Sequence, residues 1–265
     1  EIDELRGGVT SINLAGNSFV MQGPHGRSLT VVTDNQTQFE PGEGLDQLDT
    51  NSIVQVSGSL QRASLTLRAT EVIILSKERF LLGGLLTDVR PPDGRADHVD
   101  LLVRTELPDL PNAQPGRITT LDFDGNEGFF IRHLRTPLSI FLFNRDSLIP
   151  GQRISAGGLL DTSTNPARLD VRRVWLHQQG LEGAWVPGST DRANGNFLLN
   201  TGGLAGQLLD GPVKVHVSPL TRFRGLNGLA DLSGTSPIRL RVVGLVVKDR
   251  ANGKAVILAR VVEKL

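Results

Sequence analysis

One pattern recurs three times along the 265 residues and limits what the chain can fold into. Ser52–Leu60 reads SIVQVSGSL, Ile154–Leu160 reads ISAGGLL, and Leu240–Val246 reads LRVVGLV. Val54, Val56 and Gly58 align without a gap on Ile154, Ala156 and Gly158, and on Leu240, Val242 and Gly244. Apolar residues at every second position are the mark of a half-buried strand. A glycine late in such a strand permits the bend or close backbone approach that closes a small barrel. Three copies of one strand predict three copies of one domain.

The surroundings of each copy agree. Gly8–Leu14, Ser18–Gln22 and Ser28–Val32 alternate as strands before the first signature, and Thr66–Leu75 follows it. Between them, Gly42–Asp49 is Gly-rich and acidic, with Leu45 and Leu48 spaced for one helical turn. Three strands, a helical turn and two strands is the order of a five-stranded OB-type barrel. In the second copy, Leu169, Val171, Val174 and Leu176 repeat Leu67, Ala69, Val72 and Ile74 at one fixed displacement. In the third, Thr221-Arg222-Phe223 repeats Thr37-Gln38-Phe39, and Asn252-Gly253 turns into the last strand. Asn51 and Gly151 both suit a left-handed turn ahead of the signature. The predicted class is therefore all-β: three tandem small OB-like β-barrel domains with short helical turns, over 1–78, 79–178 and 179–265. The second carries the interruptions, Pro91-Pro92-Asp93-Gly94 and a segment with Pro108, Pro111 and Pro115.

These residues bring a family into view. Gly-x-Val, a Phe strand, Thr-x-Phe, a short turn and Val-x-Val-x-Gly-x-Leu resemble a bacterial family of domains of unknown function. The resemblance is fullest over the first unit and holds in the third at Gly183, Phe197, Thr221, Phe223 and Gly244; the second keeps Gly84 and Gly158. Members occur in exported proteins, often in tandem, so the resemblance implies an extracytoplasmic β-repeat protein. It carries no catalytic residue across.

The chemistry read from the residues is sparse. There is no cysteine, which excludes disulfides, thiolate metal sites and a cysteine nucleophile. Asp122–Gly128 has the look of a calcium loop, but its sixth position is Glu127 and its twelfth His133, where glycine and an acid are needed. It reads as an Asp-Gly turn. Asp97-His98-x-Asp100 reads as a solvated loop, and His25, His98, His133, His177 and His216 are scattered without zinc spacing. Gly42-x-Gly44 and Gly202-Gly203-x-x-Gly206 read as hairpin glycines, outside any strand-to-helix phosphate loop. No cofactor or metal is expected, and no enzyme. Aromatics are only 5% and include no Tyr, so a nucleic-acid face of stacked rings is not expected.

Charge gives the one lead to partners. Residues 1–78 hold 5 basic and 10 acidic side chains, a balance of −5; 79–178 balance at zero; 179–265 hold 11 and 6, a balance of +5. Asp34, Glu40, Glu43, Asp46 and Asp49 cluster ahead of the first signature, and Arg222, Arg224, Arg239 and Arg241 alternate on two strands of the third unit. The expectation is a structural or protein-interaction protein that meets copies of itself head to tail. The alternatives are an accessory extracytoplasmic subunit of a membrane-bound complex, held there through its partner, and a glycan- or nucleic-acid-binding module. No apolar run approaches the roughly 20 residues of a membrane helix. The chain opens on Glu1, as expected where a targeting peptide has been removed.

Overall fold

In a computed structural model, described over residues 1–23, 26–40, 43–78, 80–91, 95–107, 114–131 and 143–265, the protein is all-β. The first barrel is built from β1 (Ile2–Asn13), β2 (Ser18–Gln22), β3 (Ser28–Val32), β4 (Ile53–Gln61) and β5 (Thr66–Ser76). They close in the order β1-β2-β3-β5-β4. The third barrel uses β12 (Gln179–Trp185), β13 (Asn196–Thr201), β14 (Val213–Arg224), β15 (Arg239–Lys248) and β16 (Ala255–Lys264), in the same cyclic order. In each, the third strand runs parallel to the fifth and every other adjacent pair is antiparallel.

The middle strands are β6 (Phe80–Arg90), β7 (His98–Leu107), β8 (Ile118–Asp122), β9 (Gly128–Ile131), β10 (Arg153–Asp161) and β11 (Ala167–Leu176). They form one six-stranded sheet in the order β10-β6-β7-β8-β11-β9. A further β10–β11 pairing closes β6-β7-β8-β11-β10 into the same five-strand ring. The strand β9 is then the detached second half of the third strand. In the first barrel a lone parallel bridge, Gln38↔Glu71, takes its place, and in the third Arg222–Arg224 do. Short helical turns at Leu45–Gln47, Arg145–Ser147 and Leu229–Asp231 precede the three fourth strands. By contact the chain falls into two compact units: Glu1–Gly83 with Val103–Gly128 and Ala156–Val174, and Gly84–Leu102 with Phe129–Ser155 and Trp175–Leu265. The middle strands are divided between them.

The signature residues do what their alternation requires. Val54, Val56, Ile154, Ala156, Leu240 and Val242 have no exposed surface. Val54 and Val56 lie in a core with Phe19, Met21, Val31 and Leu67; Leu240 and Val242 lie in another with Trp185, Phe197, Val215 and Ile257. The signature glycines are set by close approach of two strands. A Cβ on Gly58 would fall on the carbonyl oxygen of Arg68, on Gly158 on that of Asp170, and on Gly244 on that of Leu258. The pairing register slips at Ser57/Gly58 and at Val243/Gly244, so each of those two glycines sits beside a β-bulge in the facing fifth strand, whose extra residue is Thr70 or Arg260.

Two expectations about turns are corrected. Gly151 is left-handed (φ +86°), but Asn51 is not; the Asp49 carboxylate accepts from Asn51 N at 2.6 Å and shapes that turn instead. Gly202-Gly203-x-x-Gly206 is not a hairpin: the helix α1 (Gly203–Leu208) follows β13 directly. Its Ala205 and the adjoining Leu209 pack on the third core, and Leu209 closes over Gly151 where no side chain fits. Pro92, Asp93, Gly94, Pro108, Pro111, Gly42, His25 and His133 lie outside the described residues.

Candidate functional site

The Thr-x-Phe motif and the signature glycine turn out to be parts of one device. Thr37 Oγ1 accepts from Asp34 N at 2.9 Å and donates to the carbonyl of Ala69 at 2.9 Å. Ala69 is the register partner of Gly58. In the third barrel Thr221 Oγ1 accepts from Ser218 N at 2.9 Å and donates to the carbonyl of Ala259 at 2.7 Å, and Ala259 is the partner of Gly244. The residue left out of the pairing, Thr70 or Arg260, lies on the fifth strand, and the threonine hydroxyl binds the carbonyl of the residue just before it. The motif is thus structural in both barrels.

The acidic cluster of the first barrel is not uniform. Asp34, Asp46 and Asp49 are exposed, and Glu40 is half-buried. The Asp34 carboxylate accepts from Gln36 N at 2.9 Å, and Asp49 holds its own turn. Glu43 differs: its side chain is 12% exposed and Oε1 meets Arg173 Nη2 at 2.5 Å and Lys77 Nζ at 3.8 Å. Arg173 Nη1 also donates to the Ile74 carbonyl at 2.7 Å. Glu43 is therefore an internal tie of the first compact unit, not a free surface charge. Asp34 instead lines a polar groove on the first barrel, with Asp3, Gln36, Gln38, Ser57, Arg68 and Glu71 among its walls.

Arg222, Arg224, Arg239 and Arg241 of the third barrel are all exposed. Register places them in rows. Arg224 faces Glu263, Glu263 faces Arg241, and Arg241 faces Glu182, so four strands carry an alternating ladder of charge. Arg222 stands opposite Val261, and Arg239 opposite Ala184. The basic reading from sequence missed the two glutamates, because they come from β12 and β16, far along the chain from the arginines.

Elsewhere, carboxylates that invited a metal reading are taken by arginine or by their own loops. Arg168 holds Asp122 through two bonds of 2.7 and 2.8 Å, and Arg172 holds Asp124 at 2.6 Å. The Asn126 backbone N–H, then Arg172, keep the Asp124 carboxyl below its ordinary range. Asp97-His98-x-Asp100 is not a loop: His98 and Asp100 lie on β7, and Asp97 pairs with Arg145 and Asp100 with Arg90, each at 2.8 Å. Among the described residues no three His, Asp or Glu side chains are placed to hold a metal ion. Ser155 Oγ lies 2.8 Å from His177 Nε2, but the serine is 3% exposed. No described aromatic is among the exposed large apolar side chains, which are Leu14, Leu65, Ile118, Leu159, Leu204, Leu220 and Leu265. No helix is long and apolar enough to cross a membrane among the described residues.

Residues 6–73 match the model of a family described as a domain of unknown function, DUF5666. That span runs from within β1 almost to the end of β5 and contains the Thr37–Ala69–Gly58 device. A comparison with curated proteins gave no match.

Proposed function

We propose that this is a non-catalytic, extracytoplasmic interaction protein whose barrels serve as docking bodies for other protein molecules, in the first instance a second copy of itself. The observation that carries the reading is the charge ladder on the third barrel. Arg224, Glu263, Arg241 and Glu182 occupy one cross-strand row, exposed at Arg224, Arg241 and Glu182 and half-buried at Glu263. The matching surface of the first barrel is apolar and buried at Ile53, Ile73 and Leu75. This is the part of the barrel that the chain already uses against protein. An alternating row suits a partner of mixed charge and sets register, since exposed pairs contribute only about 0–1 kcal/mol each. Asp34, Asp46 and Asp49 on the first barrel supply charge complementary to Arg222 and Arg239, which stand outside the row opposite Val261 and Ala184. A contact between unlike surfaces of two copies is heterologous and propagates unless it closes into a ring. The extracytoplasmic placement rests on the family resemblance of the sequence.

Native mass spectrometry and light scattering across a salt series test this. Self-association that weakens with added salt, and is lost in Arg239→Glu/Arg241→Glu, is expected. A monomer at every salt concentration, unchanged by that reversal, overturns it.

A further inference from the structure

The third barrel carries the same five residues twice, Asp191-Arg192-Ala193-Asn194-Gly195 and Asp249-Arg250-Ala251-Asn252-Gly253. The first copy lies in the connection from β12 to β13 and the second in that from β15 to β16. In a barrel of this strand order these are the loops on either side of the outer face of strands two and three, the face on which OB-folds hold oligomers. Turn chemistry accounts for most of the repeat. Asp191 Oδ1 accepts from Asn194 N at 3.1 Å, and Asp249 Oδ1 from Ala251 N at 2.9 Å. Gly195 and Gly253 are left-handed, at φ +66° and +71°. Nothing in a turn calls for arginine at its second position, yet both loops have one and both are exposed. Arg192 is steadied at its lip by a 3.0 Å bond from Nη2 to the Ala230 carbonyl.

Between the lips the outer face is polar. Phe197, Leu199, Val213 and Val215 point into the core, so Asn196, Leu198, Asn200, Lys214 and His216 point outward, with Leu198 the one apolar side chain among these five. Asn196 faces His216, with Oδ1 and Nδ1 3.0 Å apart, and Leu198 faces Lys214. Burial and then the Lys214 charge hold His216 below its ordinary range, which keeps the ring neutral and able to accept as well as donate. From Val213 to His216 the floor runs roughly 10 Å at a strand's rise per residue. The first barrel has the same loops but sets Leu14 and Leu65 in them, over a floor of Val20, Thr30 and Val32.

We infer that this face of the third barrel binds an acidic polysaccharide, one bearing carboxylate or sulfate groups. Arg192 and Arg250 take the anionic groups, and Asn196, Asn200 and His216 meet hydroxyls. The chemistry favours this class over its rivals. Single-stranded nucleic acid needs stacking rings, and Trp185 and Phe197 are turned inward at 1% exposure. An extended acidic peptide is held through a free strand edge, and a closed barrel has none. Spaced cations interleaved with amides suit a chain whose charges alternate with hydroxyls.

Calorimetry of the full chain with polygalacturonate and with dextran sulfate, against neutral dextran and poly-glutamate, tests the inference. At least one charged polysaccharide is expected to bind, more weakly as salt rises, and dextran is not. Arg192→Gln/Arg250→Gln is expected to lower that affinity about tenfold. Arg239→Gln/Arg241→Gln, on the other face, is expected to leave it within about twofold. Should the loop pair fail to keep the parent circular dichroism, Lys214→Gln carries the same expectation. Absence of binding to both charged polysaccharides, tighter binding of poly-glutamate, or equal losses from the two arginine pairs overturns the inference. Self-association is read without polysaccharide present, so the two proposals fail separately.

Discussion

The first and third barrels share a strand order, a bulge and a threonine clasp, yet the same outer surface meets opposite fates in them. Aligned on Gly58 and Gly244, Ile53 corresponds to Arg239, Gln55 to Arg241, Ile73 to Glu263 and Leu75 to Leu265. The first set is buried. In the third, Arg239 and Arg241 are exposed, and Leu265 is 54% exposed. Inward residues are nearly interchangeable between the barrels, because one bulged ring leaves one shape to fill. Outward residues are not, because they record what each barrel lies against. In the first compact unit the neighbours are on the page: Arg173 bonds to the Ile74 carbonyl, and Gly157 has no room for a Cβ beside Ser76. The third barrel has its own buried outer stripe further along the same hairpin, at Leu245, Val247, Val256 and Leu258, where the first barrel has Ser59, Gln61, Thr66 and Arg68. Gln152 Nε2 donates to the Val246 carbonyl beside that stripe, at 3.1 Å. One fold thus offers two protein-facing surfaces, and each outer barrel makes one of them apolar.

The comparison breaks most visibly in the cores. Val54→Asp and Leu240→Asp are each expected to cost about 4 kcal/mol or more, since an unpaired carboxylate enters an apolar interior. Equilibrium denaturation followed by the Trp185 signal in a Trp175→Phe background checks whether the losses are local. If the cores are separate, Leu240→Asp shifts that signal directly and Val54→Asp does so less.

Swapping the outward residues sharpens it. Ile73→Glu is expected to destabilise by about 2–4 kcal/mol, whereas Glu263→Ile is expected to stay within about 0.5 kcal/mol. Similar costs in chemical denaturation would mean that the two surfaces do not differ in kind.

The tie at the first barrel comes next. Arg173→Met leaves the Glu43 carboxylate, 12% exposed, without its closest cation, and about 1–3 kcal/mol of stability is expected to go. Glu43→Gln together with Arg173→Met should recover part of the loss, which a double-mutant cycle measures.

The smallest effect is one of pH. Burial, then Lys214, lowers the His216 pKa in the folded state below its ordinary 6.5. Folding then favours the neutral ring, so this contribution is full above about 6.5 and is lost as pH falls from there through the folded-state pKa. The thermal midpoint of the parent should fall slightly more on acidification than that of His216→Asn. Identical pH profiles would remove the histidine from the account.

Much of this was legible in the chain. The period-two alternation around Val54, Ile154 and Leu240 named the strands and their inward faces, and a glycine at one fixed place in each named the bend. Alternation says which residues share a face, but a face is described by what covers it. Alternation with Val54, Val56, Val72 and Ile74 sets Gln55 and Ile73 on the opposite side of their strands, and there they are buried, at 1% and 2% exposure. The acidic cluster likewise looked uniform until Arg173, 130 positions away, claimed Glu43.

By itself, then, the sequence determined the local and repetitive part: strands, turns, inward cores and the order that closes each ring. Those depend on periodicity and on bonds between near neighbours, which every copy of the repeat states again. Only the tertiary structure decided which outward faces are buried, that Arg224 and Arg241 of the third barrel alternate with Glu182 and Glu263, and that two identical loops flank one face. Each of these joins residues from strands far apart in the chain, and no local pattern encodes which distant strand will become a neighbour.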